Sequence, residues 1–175
     1  HQGLKSELEK IDKDINYKFD DKNNFNQKID ELNQETETLI DEIEKRVKDY
    51  DQYLENKEVR KSANELRAIW ACGNEYLQSA EPWSVFKTDP DKAAMQIRLS
   101  LNLIKLYGVL SEPFIPDTAQ KIFDAMHVKD RTWPENIRDA LNSLPESGAF
   151  EVPEVMFGKI SDEERETWKN QFAGS

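Results

Sequence analysis

The first third of the chain combines a helical pattern of apolar positions with dense charge. Residues between Gly3 and Gly73 include neither glycine nor proline. Apolar side chains recur there at helical spacing, in a register of three and four positions that polar residues interrupt, at Leu8, Ile11, Ile15, Phe25, Ile29, Leu32, Leu39, Ile43, Tyr50 and Tyr53. This spacing is typical of helices that bury one stripe of side chains. We predict two antiparallel helices in residues 1–56, with a turn at 20–24, where short polar side chains favour turns over helix interiors.

The rest of the chain predicts shorter helices punctuated by prolines. A helix over 57–78 presents one apolar side, made of Val59, Ala63, Leu66, Ile69 or Trp70, and Leu77. It ends at Glu81-Pro82-Trp83, and Pro82 suits the first turn of a new helix because the N–H that proline lacks would have no partner there. After a second start signal at Pro90, the most apolar stretch follows, and it predicts a central helix at 93–110. Further helices are expected at 117–126, 134–141 and 162–172, with an extended stretch at 150–153.

These elements define the predicted fold class and its parts. No segment alternates between apolar and polar residues as a half-buried strand would. We therefore predict an all-α fold, an antiparallel helix bundle with an extended C-terminal tail. Its parts are a charged helical hairpin arm at 1–56, the bundle at 57–144, and a tail with a short helix at 145–175.

Composition narrows the classes of function. Cys72 is the only cysteine, so an intramolecular disulfide and a thiolate zinc cluster are excluded, and a reducing cytoplasmic compartment is favoured. No apolar run approaches the roughly 20 residues of a membrane-spanning helix, and residues 1–5 lack the features of a secretory signal. Acidic residues outnumber basic ones by 35 to 24, for a net charge of −11. This balance argues against binding DNA or RNA by bulk phosphate neutralisation, so any nucleic-acid contact should be local.

The chain lacks the patterns of common catalytic and metal sites. His127 is its only internal histidine, and we interpret it as a surface imidazole without a role rather than as the base of a nucleophile triad. Neither the glycine-rich phosphate-binding motifs nor His-Glu-x-x-His occurs. We therefore expect no catalytic residue, no metal site and no cofactor in this chain.

An aromatic cluster at the helix break is the one unusual feature. Trp70, Tyr76 and Trp83 lie within 14 positions around the Glu-Pro-Trp step. Stacking of a base on an aromatic ring contributes about 1–3 kcal/mol, and helix N-termini attract phosphate. A local nucleic-acid site is therefore one interpretation, although composition alone favours packing of all three rings in the core.

Several short segments, in matching order and spacing, carry a family resemblance. They are Arg60-Lys61-Ser62-Ala63, the segment 69–77 with Asn74-Glu75-Tyr76, then Glu81-Pro82-Trp83, Ala93-Ala94, Leu101-Asn102-Leu103, and 112–122 with Pro113-Phe114-Ile115-Pro116. The chain resembles the α-helical anticodon-binding domain of methionyl-tRNA synthetase, a class I aminoacyl-tRNA ligase, in its bacterial form. Residues 150–160 are similar to the family's closing segment, which packs back on the body.

The resemblance implies a site. In the family, the tryptophan of the Pro-Trp step stacks with the first anticodon base, a cytosine, and this implies the same role for Trp83. Asn74 and Tyr76 belong to the same motif and are implied to brace the helix that presents Trp83, and Asn74 is also a second anticodon-binding candidate. Pro82 is a further supporting residue at the start of that helix. Lys87, Lys92 and Arg98 are candidates for phosphate contacts, although their charges are more typical of a solvated helix surface.

Two departures from the family bear on function. The family's first helix also reads the anticodon through an Asn and an Arg four residues apart, and 4–19 contains no such pair, so residues 1–56 could be a divergent or replaced arm. The His-Ile-Gly-His and Lys-Met-Ser-Lys-Ser signatures of the ATP-binding domain are also missing. We therefore expect a fragment that recognises the tRNA for methionine, while the catalytic domain of the same enzyme joins methionine to that tRNA with ATP and Mg²⁺. The alternative is a protein-interaction or self-association module on a borrowed scaffold.

Overall fold

The computed structural model describes residues 34–145 and 148–173. The described part contains seven helices and no strand, which confirms the all-α prediction. In chain order they are α1 Gln34–Glu55, α2 Val59–Ala80, α3 Pro82–Val85, α4 Pro90–Ser111, α5 Pro116–Ala125, α6 Ile137–Ala140 and α7 Asp162–Phe172. The first predicted helix and the predicted turn at 20–24 lie outside the described residues.

The prolines fix the helix starts as predicted. Pro82, Pro90 and Pro116 are each the first residue of a helix, where a missing N–H costs nothing. Asp89 caps α4, because its Oδ1 accepts a hydrogen bond from the backbone N–H of Lys92 at 3.0 Å. The short helix α6 begins later than predicted, at Ile137, and the reason is a cap: the side chain of Asn136 accepts from the backbone N–H of Asp139 at 2.9 Å.

Helices α1, α2 and α4 enclose the main core. The three-residue turn between α1 and α2 makes these two long helices antiparallel neighbours. From α1, buried apolar side chains enter the core that α2 and α4 also line: Leu39, Ile40, Ile43, Val47 and Tyr50. The Tyr50 hydroxyl donates to the Leu110 carbonyl at 2.7 Å and ties α1 to α4. The predicted boundary at residue 56 thus falls between two helices that share one core, and the division into three parts stays a prediction.

The C-terminal tail touches the bundle at its beginning. The Glu151 N–H donates to the carbonyl of Ala125 at 2.7 Å, at the end of α5. Beyond it the chain is largely exposed, with Val155 at 87%. All residues of α7 are exposed as well, and its start is fixed locally by a capping box between Ser161 and Glu164.

Candidate nucleic-acid interface

The candidate site forms where α2 breaks. Helix α2 ends at Ala80, and Glu81 adopts a left-handed conformation with φ 41° and ψ 55°. Its N–H still donates to the Leu77 carbonyl at 3.2 Å, while its carbonyl accepts from the next helix, from Val85 N at 3.0 Å. A single residue therefore closes one helix and opens another, and the sharp turn leaves Trp83 as the second residue of α3.

The three aromatic residues of the cluster have different environments. Tyr76 is 7% exposed and belongs to the core, and Trp70 packs against that core. Trp83 is half-buried and is not part of the core cluster. Within the described ranges, its ring stacks on no other ring and its indole N–H donates no hydrogen bond. The interpretation from composition therefore holds for Trp70 and Tyr76, while Trp83 lies outside the core cluster.

Asn74 lies on a different surface feature. It is exposed on α2 and lines a groove of about 460 Å³ between α2 and α4. Trp70, Leu77, Ile104 and Tyr107 also line this groove, but Trp83 does not. The structure thus places the two predicted anticodon-binding residues on the same helix and its continuation, and it does not bring them into one pocket.

The floor of this groove depends on close helix packing. A Cβ at Gly73 would lie 1.8 Å from the Tyr107 hydroxyl oxygen, so only glycine lets α2 and α4 approach this closely. Burial raises the pKa of Tyr107, so its hydroxyl stays neutral at physiological pH. Apart from Arg67, the groove therefore presents uncharged, partly apolar surface beside Asn74.

The predicted supporting residues divide between scaffold and surface. Pro82 is buried and Tyr76 lies in the core, as brace residues would. Lys87 is exposed between α3 and α4. Arg98 is half-buried, and its guanidinium donates to the carbonyls of Leu144 at 2.8 Å and Pro145 at 3.3 Å. The Arg98 guanidinium thus holds the segment that follows α6. Its predicted role in contacting phosphate stays a prediction.

Sequence reasoning missed two residues at the break. Glu81 takes a conformation that usually calls for glycine, and no feature of the motif signals it. Gln96, on α4, is 4% exposed and donates from Nε2 to the Ala80 carbonyl at 3.3 Å. Its signal was available, because a glutamine inside the most apolar stretch of the chain needs a hydrogen-bond partner when it is buried.

In residues 34–145 and 148–173, no three or more His, Cys, Asp or Glu side chains come together as metal ligands would. In the same part of the chain, no helix has the length and apolar character needed to cross a membrane. The break itself carries a half-buried indole, a short helix and an exposed lysine.

The chain is similar to a known protein family and to individual members of it. Residues 28–175 match the family described as the anticodon binding domain of methionyl tRNA ligase. The methionine–tRNA ligase of Ruegeria sp. (strain TM1040) is 57% identical over 141 residues, which are 81% of this chain and 25% of the relative. That of Paracoccus denitrificans (strain Pd 1222) is 59% identical over 140 residues, which are 80% of this chain and 24% of the relative.

The all-α bundle and these matches define an anticodon-binding domain. More specifically, the chain belongs to the family of the anticodon-binding domain of methionyl-tRNA ligase. The match begins at residue 28, inside the stretch for which we predicted a separate arm. The chain spans about a quarter of the length of these relatives.

Proposed function

We propose that this chain recognises the anticodon loop of the tRNA for methionine, with Trp83 as the stacking platform for the first anticodon base. The observation that carries the proposal is the state of Trp83: a half-buried indole at a helix start, outside the core, with no ring or hydrogen-bond partner in the described residues. A partly buried ring has already lost part of its side-chain freedom, so it can accept an unpaired base with little further loss of side-chain entropy.

The net charge of −11 makes such a local mode of recognition necessary. A protein with this charge gains little from general phosphate neutralisation, so affinity has to come from stacking and a few directed contacts. Asn74, exposed on α2, and Lys87, exposed beside α3, are the proposed polar contacts. Tyr76 and Pro82 support the break from inside.

We place ATP, Mg²⁺ and the ligation of methionine in the larger cytoplasmic enzyme of which the relatives are examples. The residues described here do not fit a metal site, and no step of that chemistry is assigned to them. The proposed partners of this chain are the tRNA for methionine and the catalytic domain of the same enzyme.

The test compares Trp83→Ala and Trp83→Phe in the 175-residue chain. The ligand is an RNA hairpin that carries the methionine anticodon loop, and binding is followed by fluorescence anisotropy of the labelled RNA. Removal of a stacking ring costs about 1–3 kcal/mol, so alanine should weaken binding by about 5- to 150-fold, and phenylalanine should weaken it less. Trp168→Ala is the matched control, because Trp168 is an exposed tryptophan on α7.

A second RNA sharpens the result. When the first anticodon base is changed from cytosine to adenine, the wild-type chain should bind more weakly, and Trp83→Ala should lose much of that preference. Unaltered affinity and unaltered preference in Trp83→Ala would contradict the proposal. Together with concentration-dependent dimers in sedimentation, that result would favour the self-association module.

A further inference from the structure

Gln96 is a buried polar residue whose side chain makes its one described hydrogen bond to the helix break. It lies on α4 and is 4% exposed, and its Nε2 donates to the carbonyl of Ala80 at 3.3 Å. Ala80 is the last residue of α2. The carbonyls at the end of a helix have no partner within it, and here the partner of Ala80 comes from a different helix.

This hydrogen bond lies close to Trp83 along the chain and can therefore influence the orientation of the Trp83 side chain. Ala80 directly precedes Glu81, whose backbone is left-handed, and Pro82, whose φ is fixed by its ring. Only Glu81 and Pro82 therefore separate the held carbonyl from Trp83, and both have restricted backbones. Helix α3 itself packs against α4. A shift of the Ala80 carbonyl would consequently change the direction in which the Trp83 indole points.

The other half of the Gln96 amide argues against a role in stability alone. Its Oε1 is buried and has no hydrogen-bond partner within the described part of the chain. A buried acceptor without a partner is destabilising, and an apolar side chain of similar length would fill the site without that cost. What glutamine offers and an apolar residue does not is the donor to Ala80.

We propose that Gln96 is a positioning residue for anticodon recognition: it holds the carbonyl of Ala80 and so fixes the orientation of the Trp83 indole. The inference rests on the proposed function only for the identity of the ligand that Trp83 binds. The orientation of Trp83 itself is a property of the free chain and can be measured without RNA.

The experiment labels the tryptophans of the 175-residue chain with 5-fluorotryptophan and records ¹⁹F NMR spectra. The Trp83 resonance is assigned by its loss in Trp83→Phe. Gln96→Met keeps the length and most of the volume of the side chain but removes the donor. We expect the Trp83 resonance to shift or broaden, the Trp133 and Trp168 resonances to stay in place, and affinity for the anticodon hairpin to fall by about two- to tenfold.

Gln52→Met, an exposed substitution on α1, is the matched control and should change none of these readouts. Gln96→Asn is the second variant. It keeps the amide but withdraws it by one methylene, so it should reproduce the effect on Trp83. Unchanged Trp83 resonances in both folded variants would overturn the inference. Loss of folding in both, with all four resonances collapsing together, would overturn it in favour of a purely structural role.

The outcomes separate this inference from the proposed function. If Trp83→Ala binds the hairpin as well as wild type does, the proposed function fails, and the fluorine spectra still decide whether Gln96 orients the indole. If Trp83→Ala weakens binding while Gln96→Met changes neither spectrum nor affinity, the positioning inference fails alone.

Discussion

Two tryptophans beside prolines show how similar sequence surroundings lead to different roles. Trp83 follows Pro82 and Trp133 precedes Pro134, and both indoles are half-buried. The ring of Trp133 stacks on Tyr50, with centroids 5.8 Å apart and an interplanar angle of 13°. Its Nε1 donates to Asp51 Oδ1 at 3.1 Å. Trp83 has neither kind of contact among the described residues.

This contrast shows that exposure alone does not identify a binding aromatic. The ring face of Trp133 contacts Tyr50 and its N–H contacts Asp51, and both of these residues lie on α1. These contacts hold the loop before α6 against the core. Burial raises the pKa of the Asp51 carboxyl, and the hydrogen bond from Trp133 partly offsets this effect. Neither the ring nor the N–H of Trp83 has such a partner in the described residues, and their use by a ligand stays a proposal.

The largest expected effect follows from truncating each ring and comparing stabilities. Trp133→Ala should lower the free energy of unfolding by about 3 kcal/mol, because it removes packing, the stack on Tyr50 and the partner of Asp51. Trp83→Ala should lower it by about 1 kcal/mol or less, because a half-buried ring outside the core loses fewer contacts. Urea denaturation followed by circular dichroism measures both.

Trp133→Phe refines this comparison. It keeps an aromatic face for Tyr50 and loses only the N–H to Asp51, so its cost should be about 1 kcal/mol. Equal losses of stability in the two alanine variants would show that Trp83 is as much a part of the scaffold as Trp133 is.

The sequence predicted the elements well where the signal is local. The helix starts predicted at Pro82, Pro90 and Pro116 were correct, because the restriction that proline imposes acts within one residue of itself. The start predicted at Pro134 was wrong, because Asn136 caps that helix and it begins at Ile137. The helical periodicity placed Leu66 and Ile69 correctly on the buried side of α2. It was wrong for Val59, which is 62% exposed, because the first residue of a helix just after a tight turn extends beyond the neighbour that covers the later turns.

What the sequence could not supply was contact between distant positions. Trp133 reaches Asp51 across 82 residues, and Arg98 reaches Leu144 across 46. No periodicity links such pairs. For the site, the motif located Trp83 at a helix start, but the left-handed Glu81 and the bond from Gln96 to Ala80 depend on how α4 packs against the end of α2.

A smaller effect on stability is expected from the ion pair between Lys105 and Asp130, which lies in the loop before Trp133. Lys105 is 7% exposed on α4, and its Nζ lies 3.0 Å from Asp130 Oδ2 and 3.1 Å from Ser143 Oγ. Asp130→Asn would leave a buried ammonium without its counter-charge. Because the Asp130 side chain is 61% exposed, solvent screens the pair, and we expect a loss of about 1 kcal/mol at pH 7.

The same pair predicts a pH dependence with a definite sign. Hydrogen bonds from Thr132, and after them the contact with Lys105, lower the pKa of Asp130 to about 2. A lowered pKa means that the folded state holds the proton less tightly than the unfolded state does. The contribution of Asp130 to the free energy of unfolding is therefore complete above its ordinary pKa of about 3.9. This contribution is lost as the pH falls toward about 2. Asp130→Asn should approach wild-type stability over that interval, and a constant gap between pH 5 and pH 2 would contradict the assignment.

The smallest expected effect concerns the backbone that presents Trp83. Glu81 has φ 41°, and Lys57, in the turn between α1 and α2, has φ 60°. A left-handed conformation costs a residue with a side chain about 1–2 kcal/mol, while glycine loses more chain entropy on folding, by about 0.5–1 kcal/mol. Glu81→Gly and Lys57→Gly should therefore each stabilise the chain by about 0.5 kcal/mol in urea denaturation.

Only one of the two glycines should affect RNA binding. At position 57 the freed backbone lies far along the chain from Trp83, so affinity for the anticodon hairpin should not change. At position 81 the added freedom lets α3 and its indole sample more directions, so affinity should fall by about twofold even as stability rises. Equal affinity in both variants would mean that the packing of α3 on α4, and not the conformation of Glu81, fixes the direction of the indole.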